Sequence, residues 1–212
     1  GSEMCIRDRI NLLQLMPKYD VKGIIFSSSC TVYGQPDVLP ATEETPIKKA
    51  ESPYGNTKQI NEEIIADTIK SGSPIKAILL RYFNPIGAHP TAFIGEMPNG
   101  VPQNLIPYLT QTAMGIRKEL SVFGDDYDTP DGSCIRDYIY VVDLAKAHVC
   151  AMTRIMEDQT TEPVEVYNIG TGTGTSVLEL INAFEKATGV KLNYKIVGRR
   201  AGDIEKVWGN VD

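Results

Sequence analysis

Tyr54 and Lys58 stand four residues apart in the segment Ser52-Pro53-Tyr54-Gly55-Asn56-Thr57-Lys58. On a helix that spacing puts a phenol and an ammonium on one face. A phenol alone is a poor base at neutral pH, with a pKa of about 10. A neighbouring cation stabilises the phenolate and brings the group towards proton transfer. Taken alone, the pair serves as readily as a surface contact. Upstream, Phe26-Ser27-Ser28-Ser29 puts hydroxyls at the end of an apolar run. In an open α/β sheet, ligands bind beyond the carboxyl ends of the strands, so a hydroxyl there is placed for chemistry. In the plainer reading these serines terminate a strand and cap the turn after it.

The elements that must position these residues alternate. Ile10 to Tyr19 reads as the end of an amphipathic helix, with Leu12, Leu13, Leu15 and Met16 apolar. Val21 to Ser27 is a continuous apolar run, the signature of a strand buried on both faces. Ser52 to Ser71 reads as a helix, with Ser52 as N-cap, Pro53 at the first helical position and Gly72 as the stop. Ile75 to Tyr82 is again a strand. Residues 84 to 100 read as a loop rich in Pro and Gly, and Leu105 to Gly115 as a helix. Ile139 to Met156 begins as a short strand and becomes a helix. Val164 to Ile169 is a strand, Ser176 to Thr188 a helix and Lys191 to Val197 a strand. This alternation predicts an α/β fold with a doubly wound parallel sheet. Residues 1–9 lead into no element and are expected to be foreign to the natural protein or disordered.

Composition removes several classes of function. The 212 residues are 42% hydrophobic and 23% charged, enough for one sizeable core. A net charge of -6 argues against nucleic acid as an obligate partner, since phosphate backbones need a basic face. The four cysteines, Cys5, Cys30, Cys134 and Cys150, form no C-x-x-C pair, and only His89 and His148 join them. Neither a metal site nor a disulfide framework is expected, and a reducing cytoplasm fits best. No apolar run approaches the ~20 residues of a membrane span. No secretory signal opens the chain.

Two segments imitate ligand loops. Gly170-Thr171-Gly172-Thr173-Gly174-Thr175 has G-x-G-x-G spacing, not the G-x-G-x-x-G of a dinucleotide loop. It is read as a structural turn that starts the Ser176 helix. Asp125-Asp126-Tyr127-Asp128-Thr129-Pro130-Asp131-Gly132 lacks the spacing and the final Glu of a calcium loop, and is read as a solvated turn.

Beyond spacing, six motifs in order carry a resemblance. Phe26 to Gly34, reading FSSSCTVYG, together with Ser52 to Lys58, resembles the catalytic core of the extended short-chain dehydrogenases/reductases. Arg81-Tyr82-Phe83-Asn84-Pro85-Ile86-Gly87-Ala88-His89-Pro90 is similar to the UDP-glucose 4-epimerase branch of that family. So are Asn104 to Tyr108, Arg136 to Ile139, Tyr167 to Gly172 and Arg199 to Asp203. Together they span almost all of residues 10–212.

The resemblance implies NAD as cofactor and UDP-galactose and UDP-glucose as substrates. It implies that Ser29 hydrogen-bonds the sugar 4-hydroxyl and the Tyr54 phenol. Tyr54 would take the hydroxyl proton, and Lys58 would lower the Tyr54 pKa and hold the nicotinamide ribose. Tyr82 and Phe83 would line the nicotinamide. Asn84, Asn104, Leu105, Val122, Phe123, Arg136, Arg200 and Asp203 would contact the nucleotide diphosphate or its uridine. Hydride would leave C4, the 4-keto sugar would rotate, and hydride would return to the opposite face. Residues 10–85 would then be the C-terminal part of a Rossmann-like NAD-binding domain. Residues 86–212 would form a smaller α/β substrate-binding region, with Arg136–Met156 and Val164–Ile169 returning to the Rossmann sheet. The complete protein would be a homodimer through the Ser52 to Ser71 helix.

The chain departs from the family pattern in two ways. It has no glycine-rich first βα turn, and it stops at Asp212, short of the family's C-terminal end. The 212 residues alone are therefore expected to bind NAD poorly and to be inactive. Dehydratases of the family place an acid pair after the catalytic hydroxyl, where this chain has Thr31-Val32. Val207 stands where the family tunes pocket width, which keeps UDP-N-acetylglucosamine epimerisation open. Its alternative role is core packing. A non-catalytic Rossmann-like binding protein would keep the fold, but the intact Ser29, Tyr54 and Lys58 set argues against it.

Overall fold

In the computed structural model the backbone is described for residues 2–211 and the side chains for residues 6–211. The main sheet has three parallel strands in the order β1 (Gly23–Ser27), β2 (Lys76–Tyr82) and β6 (Val164–Ile169). Phe26 stands opposite Leu79, and Leu79 opposite Val166. Between β1 and β2 runs α2 (Pro53–Lys70). It starts where sequence signals put it. Ser52 Oγ accepts from Gly55 N at 3.1 Å and Pro53 occupies the first turn. It ends before Gly72, whose φ of 104° suits glycine.

Helices cover both faces of this sheet, as doubly wound folds require. On one face Leu13 and Met16, with Ile65 and Ile69 of α2, pack on Ile24, Phe26, Ala77 and Leu79. On the other, Ala151 and Ile155 of α4 (Val141–Met156) pack on Ile78 and Leu80. Each such buried aliphatic side chain contributes roughly 1.5–3 kcal/mol.

A second region carries the remaining strands. In it β4 (Leu120–Phe123) pairs in parallel with β8 (Tyr194–Val197), Leu120 opposite Tyr194. Helices α3 (Leu105–Ala113) and α5 (Val177–Thr188) close a core around Leu109, Leu120, Val122, Ile181 and Leu192. A capping box starts α5: Glu179 N donates to Ser176 Oγ at 3.0 Å, and Ser176 N donates to Glu179 Oε2 at 2.8 Å. Between the two regions, β5 (Ile135–Tyr140) pairs with β3 (Asn84–Ile86), β7 (Gly174–Ser176) and β9 (Lys206–Val207).

Three expectations need correction. The strand of the Arg136–Met156 segment does not join the main sheet. It pairs with β3, β7 and β9, and only its helix α4 returns to cover the sheet. Residues 2–9 are not outside the fold, because α1 runs from Ser2 to Leu15. Arg9 holds this helix to the sheet, its guanidinium 4.7 Å from the centroid of Phe26. Residue 1 lies outside the described residues. Lastly, β3 falls in the expected 84–100 loop, and β4, β7 and β9 lie where no strand is predicted.

Glu165 of β6 ties the main sheet to α4. Arg154 donates to it at 2.7 and 2.9 Å, Thr161 from N and Oγ1 at 2.7 and 3.1 Å, and Tyr167 at 3.1 Å. These donors, Arg154 first, hold its carboxyl down at about 2, below the ordinary 4.5. A depressed carboxyl stabilises the fold above its unfolded value and loses that contribution as pH falls through the folded one. Glu165→Gln should therefore be less stable than wild type at pH 7. The gap in urea midpoint should close as pH falls from 4.5 towards 2. A gap independent of pH would contradict the assignment.

Candidate active site

The three serines after β1 each do a different job. The Ser27 carbonyl accepts from Lys58 Nζ at 2.7 Å. Ser28, fully buried, donates to Glu62 of α2. Ser29 caps the short 3-10 turn Cys30–Tyr33, with Thr31 N donating to Ser29 Oγ at 3.3 Å. Tyr54, Lys58 and Glu62 succeed one another at single-turn intervals on α2, so one helix face meets all three serines.

Glu62 fixes that meeting. Arg81 of β2 donates to both its oxygens, Nη2 to Oε2 at 2.6 Å and Nε to Oε1 at 3.1 Å. Arg81 Nη1 also donates to Tyr33 OH at 3.1 Å, and Tyr33 OH donates to Asn168 Oδ1 at 2.7 Å. Glu62 is 5% exposed and Arg81 6%. Such a pair survives in the interior only because its hydrogen bonds are made. Through Ser28, Tyr33 and Asn168 it ties the end of β1, α2, β2 and β6 together.

Tyr54 is half-exposed at the start of α2. Partial burial pushes its phenol above the ordinary value of 10, and the Tyr82 phenol adds to this, while hydrogen bonding with Ser29 works the other way. The Lys58 ammonium is held at the Ser27 carbonyl and lies 5.3 Å from the Tyr54 ring centroid and 5.2 Å from that of Phe26. Tyr82, the last residue of β2, is half-buried. The Phe83 ring is 3% exposed among Cys30, Val32, Tyr33 and Val207. Gly170 and Gly209 crowd that ring: a Cβ on either would lie 2.9 or 2.6 Å from it. Val207, 1% exposed, belongs to the same core and not to the cleft.

Asn84, Asn104, Leu105, Val122, Phe123, Arg136, Arg200 and Asp203 all line one cleft of about 440 Å³. Ser29 lies outside it, next to Cys30, whose thiol burial pushes up to about 12 while the Arg136 charge pulls it down. Asp203 accepts from both guanidiniums, Arg200 at 2.9 Å and Arg136 at 3.4 Å. The two guanidiniums thus share one carboxylate at the cleft wall. Asn104 precedes α3 without capping it by its side chain, which donates instead to Glu96 at 3.1 Å. The first N–H groups of α3 therefore stay without a side-chain acceptor there, and a helix start of this kind favours an anion. Arg200 also lies 5.5 Å from the centroid of Phe123.

Sequence reading missed Tyr138 and Glu96 in the cleft lining. Tyr138 had a signal, since it stands two residues from Arg136 on one strand and so shares its face. Asp137 points the opposite way and is fully buried. It accepts from Thr171 N at 2.8 Å, Thr171 Oγ1 at 2.7 Å, Gly172 N at 3.1 Å and Gly209 N at 3.3 Å. The G-x-G-x-G turn thus gives its amides to the protein's own carboxylate and is structural. A Cβ at Gly170 would lie 2.4 Å from Asp137 Oδ2. The acidic loop is a solvated turn whose carboxylates meet the protein's own cations, Arg199 on Asp126 at 2.6 Å and Lys206 on Asp128 at 3.3 Å. Among the described residues no three His, Cys, Asp or Glu side chains are grouped to hold a metal. No helix among them is long and apolar enough to cross a membrane.

The sequence profile described as the NAD dependent epimerase/dehydratase family matches residues 6–170. UDP-glucose 4-epimerase 2 of Arabidopsis thaliana is 53% identical over 203 residues, and the Homo sapiens UDP-glucose 4-epimerase 49% over 201. These alignments cover 96% and 95% of this chain but 57% of either relative. The chain therefore spans a little over half the length of these relatives. A crystal structure of UDP-glucose 4-epimerase from Bifidobacterium longum, in complex with NAD+ and UDP, superposes with a TM-score of 0.93 at 49% identity. That match covers 99% of this chain and 62% of the other. The Stenotrophomonas maltophila enzyme, with bound NAD and formylated UDP-arabinopyranose, superposes with a TM-score of 0.89 at 46% identity.

Proposed function

The chain belongs to the NAD dependent epimerase/dehydratase family, and from that premise we propose that the whole protein is a UDP-glucose 4-epimerase that interconverts UDP-galactose and UDP-glucose. One observation carries the reading. A phenol, an ammonium and a seryl hydroxyl converge at the ends of parallel strands, beside a cleft whose inner wall is a pair of arginines.

That donor set fits NAD. Tyr54 is half-exposed, Tyr82 half-buried, and Lys58 lies between Tyr54 and the end of β1. Tyr54, Lys58 and Tyr82 would hold the nicotinamide end, with Phe83 buried beneath. When bound, NAD supplies a reversible acceptor for the C4 hydride and, in its oxidised form, a positive charge. The protein's own residues do the rest. Arg136 and Arg200 grip the diphosphate, and Asn84, Asn104, Leu105, Val122, Phe123 and Asp203 shape its surroundings. Ser29 hydrogen-bonds the sugar 4-hydroxyl and steadies the Tyr54 phenol. Tyr54 takes the proton from that hydroxyl as C4 loses its hydride, and gives it back when hydride returns to the other face. The gripped diphosphate leaves the 4-keto sugar free to turn between the two transfers.

We further assign the whole protein to a homodimer and to the cytoplasm. Half-buried Ile60 and Ile64 on α2, with exposed Ile10, Leu12 and Leu15 on the adjoining α1, support the first, and the free thiols of Cys30, Cys134 and Cys150 support the second. The test is conversion of UDP-galactose to UDP-glucose by the full-length gene product, read by a coupled UDP-glucose dehydrogenase assay. Conversion in both directions is expected. A folded, NAD-containing protein that converts neither sugar would overturn the assignment.

The anion wall can be tested alone. Arg200→Ala should weaken UDP binding roughly ten- to a hundredfold, as expected for a charge-assisted hydrogen bond. The salt dependence of binding should also flatten. Calorimetry with UDP reads both, and unchanged affinity would remove Arg200 from the site.

A further inference from the structure

His148 takes no part in the chemistry above. It lies in the middle of α4 and is half-buried. Both its ring nitrogens are engaged. Nδ1 lies 2.8 Å from the Leu144 carbonyl oxygen one turn back. A carbonyl only accepts, so Nδ1 carries the proton. In the neutral ring Nε2 is then an acceptor, and the Ser27 hydroxyl, 2.9 Å away, donates to it. Ser27 is also the residue whose carbonyl anchors Lys58 at 2.7 Å. The Tyr82 ring stands 6.4 Å from the imidazole, centroid to centroid, tilted by 50°. A single side chain on α4 therefore touches both the anchor of Lys58 and the Tyr82 ring at the end of β2.

We propose that His148 is a positioning residue for the cofactor side of the site: with a proton on Nδ1, it fixes Ser27, and through it the Lys58 ammonium, while backing the Tyr82 ring. It does not line the cleft of Arg136 and Arg200. A buried histidine serving only the packing of α4 would need shape alone. This one uses its second nitrogen at the strand end, where Lys58 is held. The kinetic consequence rests on the epimerase reading. The consequence for NAD retention rests only on the fit of NAD to Lys58 and Tyr82.

The test uses the full-length gene product with His148→Phe, His148→Gln and Ser27→Ala. Phenylalanine keeps the ring volume and loses the acceptor. Glutamine offers a side-chain carbonyl oxygen to the Ser27 hydroxyl. NAD retained per protomer after gel filtration, kcat and KM for UDP-galactose, and the 15N shifts of the His148 ring are measured. The ring shifts should report Nδ1–H. His148→Phe should retain less NAD and lose roughly tenfold in kcat, about the worth of one buried neutral hydrogen bond. Its KM should stay within about twofold, because the arginines that grip the diphosphate lie on other elements. His148→Gln should recover most of the loss, and Ser27→Ala should behave like His148→Phe. Normal NAD content and kcat in His148→Phe would overturn the proposal, as would equal damage in His148→Gln. If His148→Phe does not fold, a normal Ser27→Ala overturns it just as well. An inactive wild type that holds NAD would count against the epimerase reading alone, and NAD retention would still decide the role of His148.

Discussion

Tyr54→Phe lowers kcat for UDP-galactose roughly a thousandfold, the middle of the range for loss of a general acid–base group, while UDP affinity changes by less than about twofold. The two effects separate because the groups do. Tyr54 stands at the start of α2 with Ser29 and Lys58, whereas UDP is assigned to the cleft between α3, β4, β5 and the Arg200 segment. Removing one phenol oxygen takes away the proton acceptor and leaves the ring in place over Lys58. Burial pushes the resting phenol above its ordinary value of 10, so the proton acceptor must be activated as substrate and cofactor bind. Steady-state kinetics beside UDP calorimetry make the comparison. A kcat within tenfold of wild type would mean that the proton goes elsewhere.

Glu62→Ala destabilises the protein by about 3–5 kcal/mol, the cost of leaving a buried charge without its partner. The stranded group is Arg81, which is 6% exposed and takes its short bond at 2.6 Å from Glu62 alone. Ser28 loses its acceptor at the same time. Urea unfolding reads the loss. Adding Arg81→Met should restore part of it, because the uncompensated charge goes too, and incomplete recovery is expected since Ser28 stays unpartnered. A loss below about 1 kcal/mol in the single variant would show that water reaches Arg81 and that the pair is not the lock described.

The parts of the fold that were legible in the sequence have their determinants close together in the chain. Ser52-Pro53 starts α2 and Gly72 comes just after its end; Ser176 and Glu179 start α5 and Gly189 ends it. Apolar runs mark β1, β2 and β6 because helices bury both faces of their sheet. Strands β3, β4, β7 and β9 were not legible. They are two to four residues long. Their partners lie far off, as with Leu120 opposite Tyr194 or Ile135 opposite Lys206. Too few residues alternate to show a period of two.

The site divides in the same way. Helical spacing alone joined Tyr54 to Lys58. The members of the cleft come from α3, β4, β5 and residues 200–203, which no spacing connects, and only family resemblance assembled them. The direction of the Tyr54 shift was beyond sequence reading, since it depends on how far folding buries the phenol and on the Ser27 carbonyl competing for Lys58. The placement of the Phe83 ring was equally hidden: next to Tyr82 in the chain, it turns into the core with Cys30 and Tyr33. His148 carried no motif at all, and its partner Ser27 is 121 residues away.

The central claim is that C4 loses and regains its own hydride while Tyr54 handles only the hydroxyl proton. The direct measurement is conversion of UDP-galactose deuterated at C4 by the full-length gene product, with NMR of the product sugar. Deuterium kept at C4 of UDP-glucose, with no uptake from labelled water in the reverse experiment, is the result expected. Deuterium lost to solvent would mean that the C4 hydrogen leaves as a proton, and would contradict the assignment of Tyr54, Ser29 and Lys58 to this chemistry.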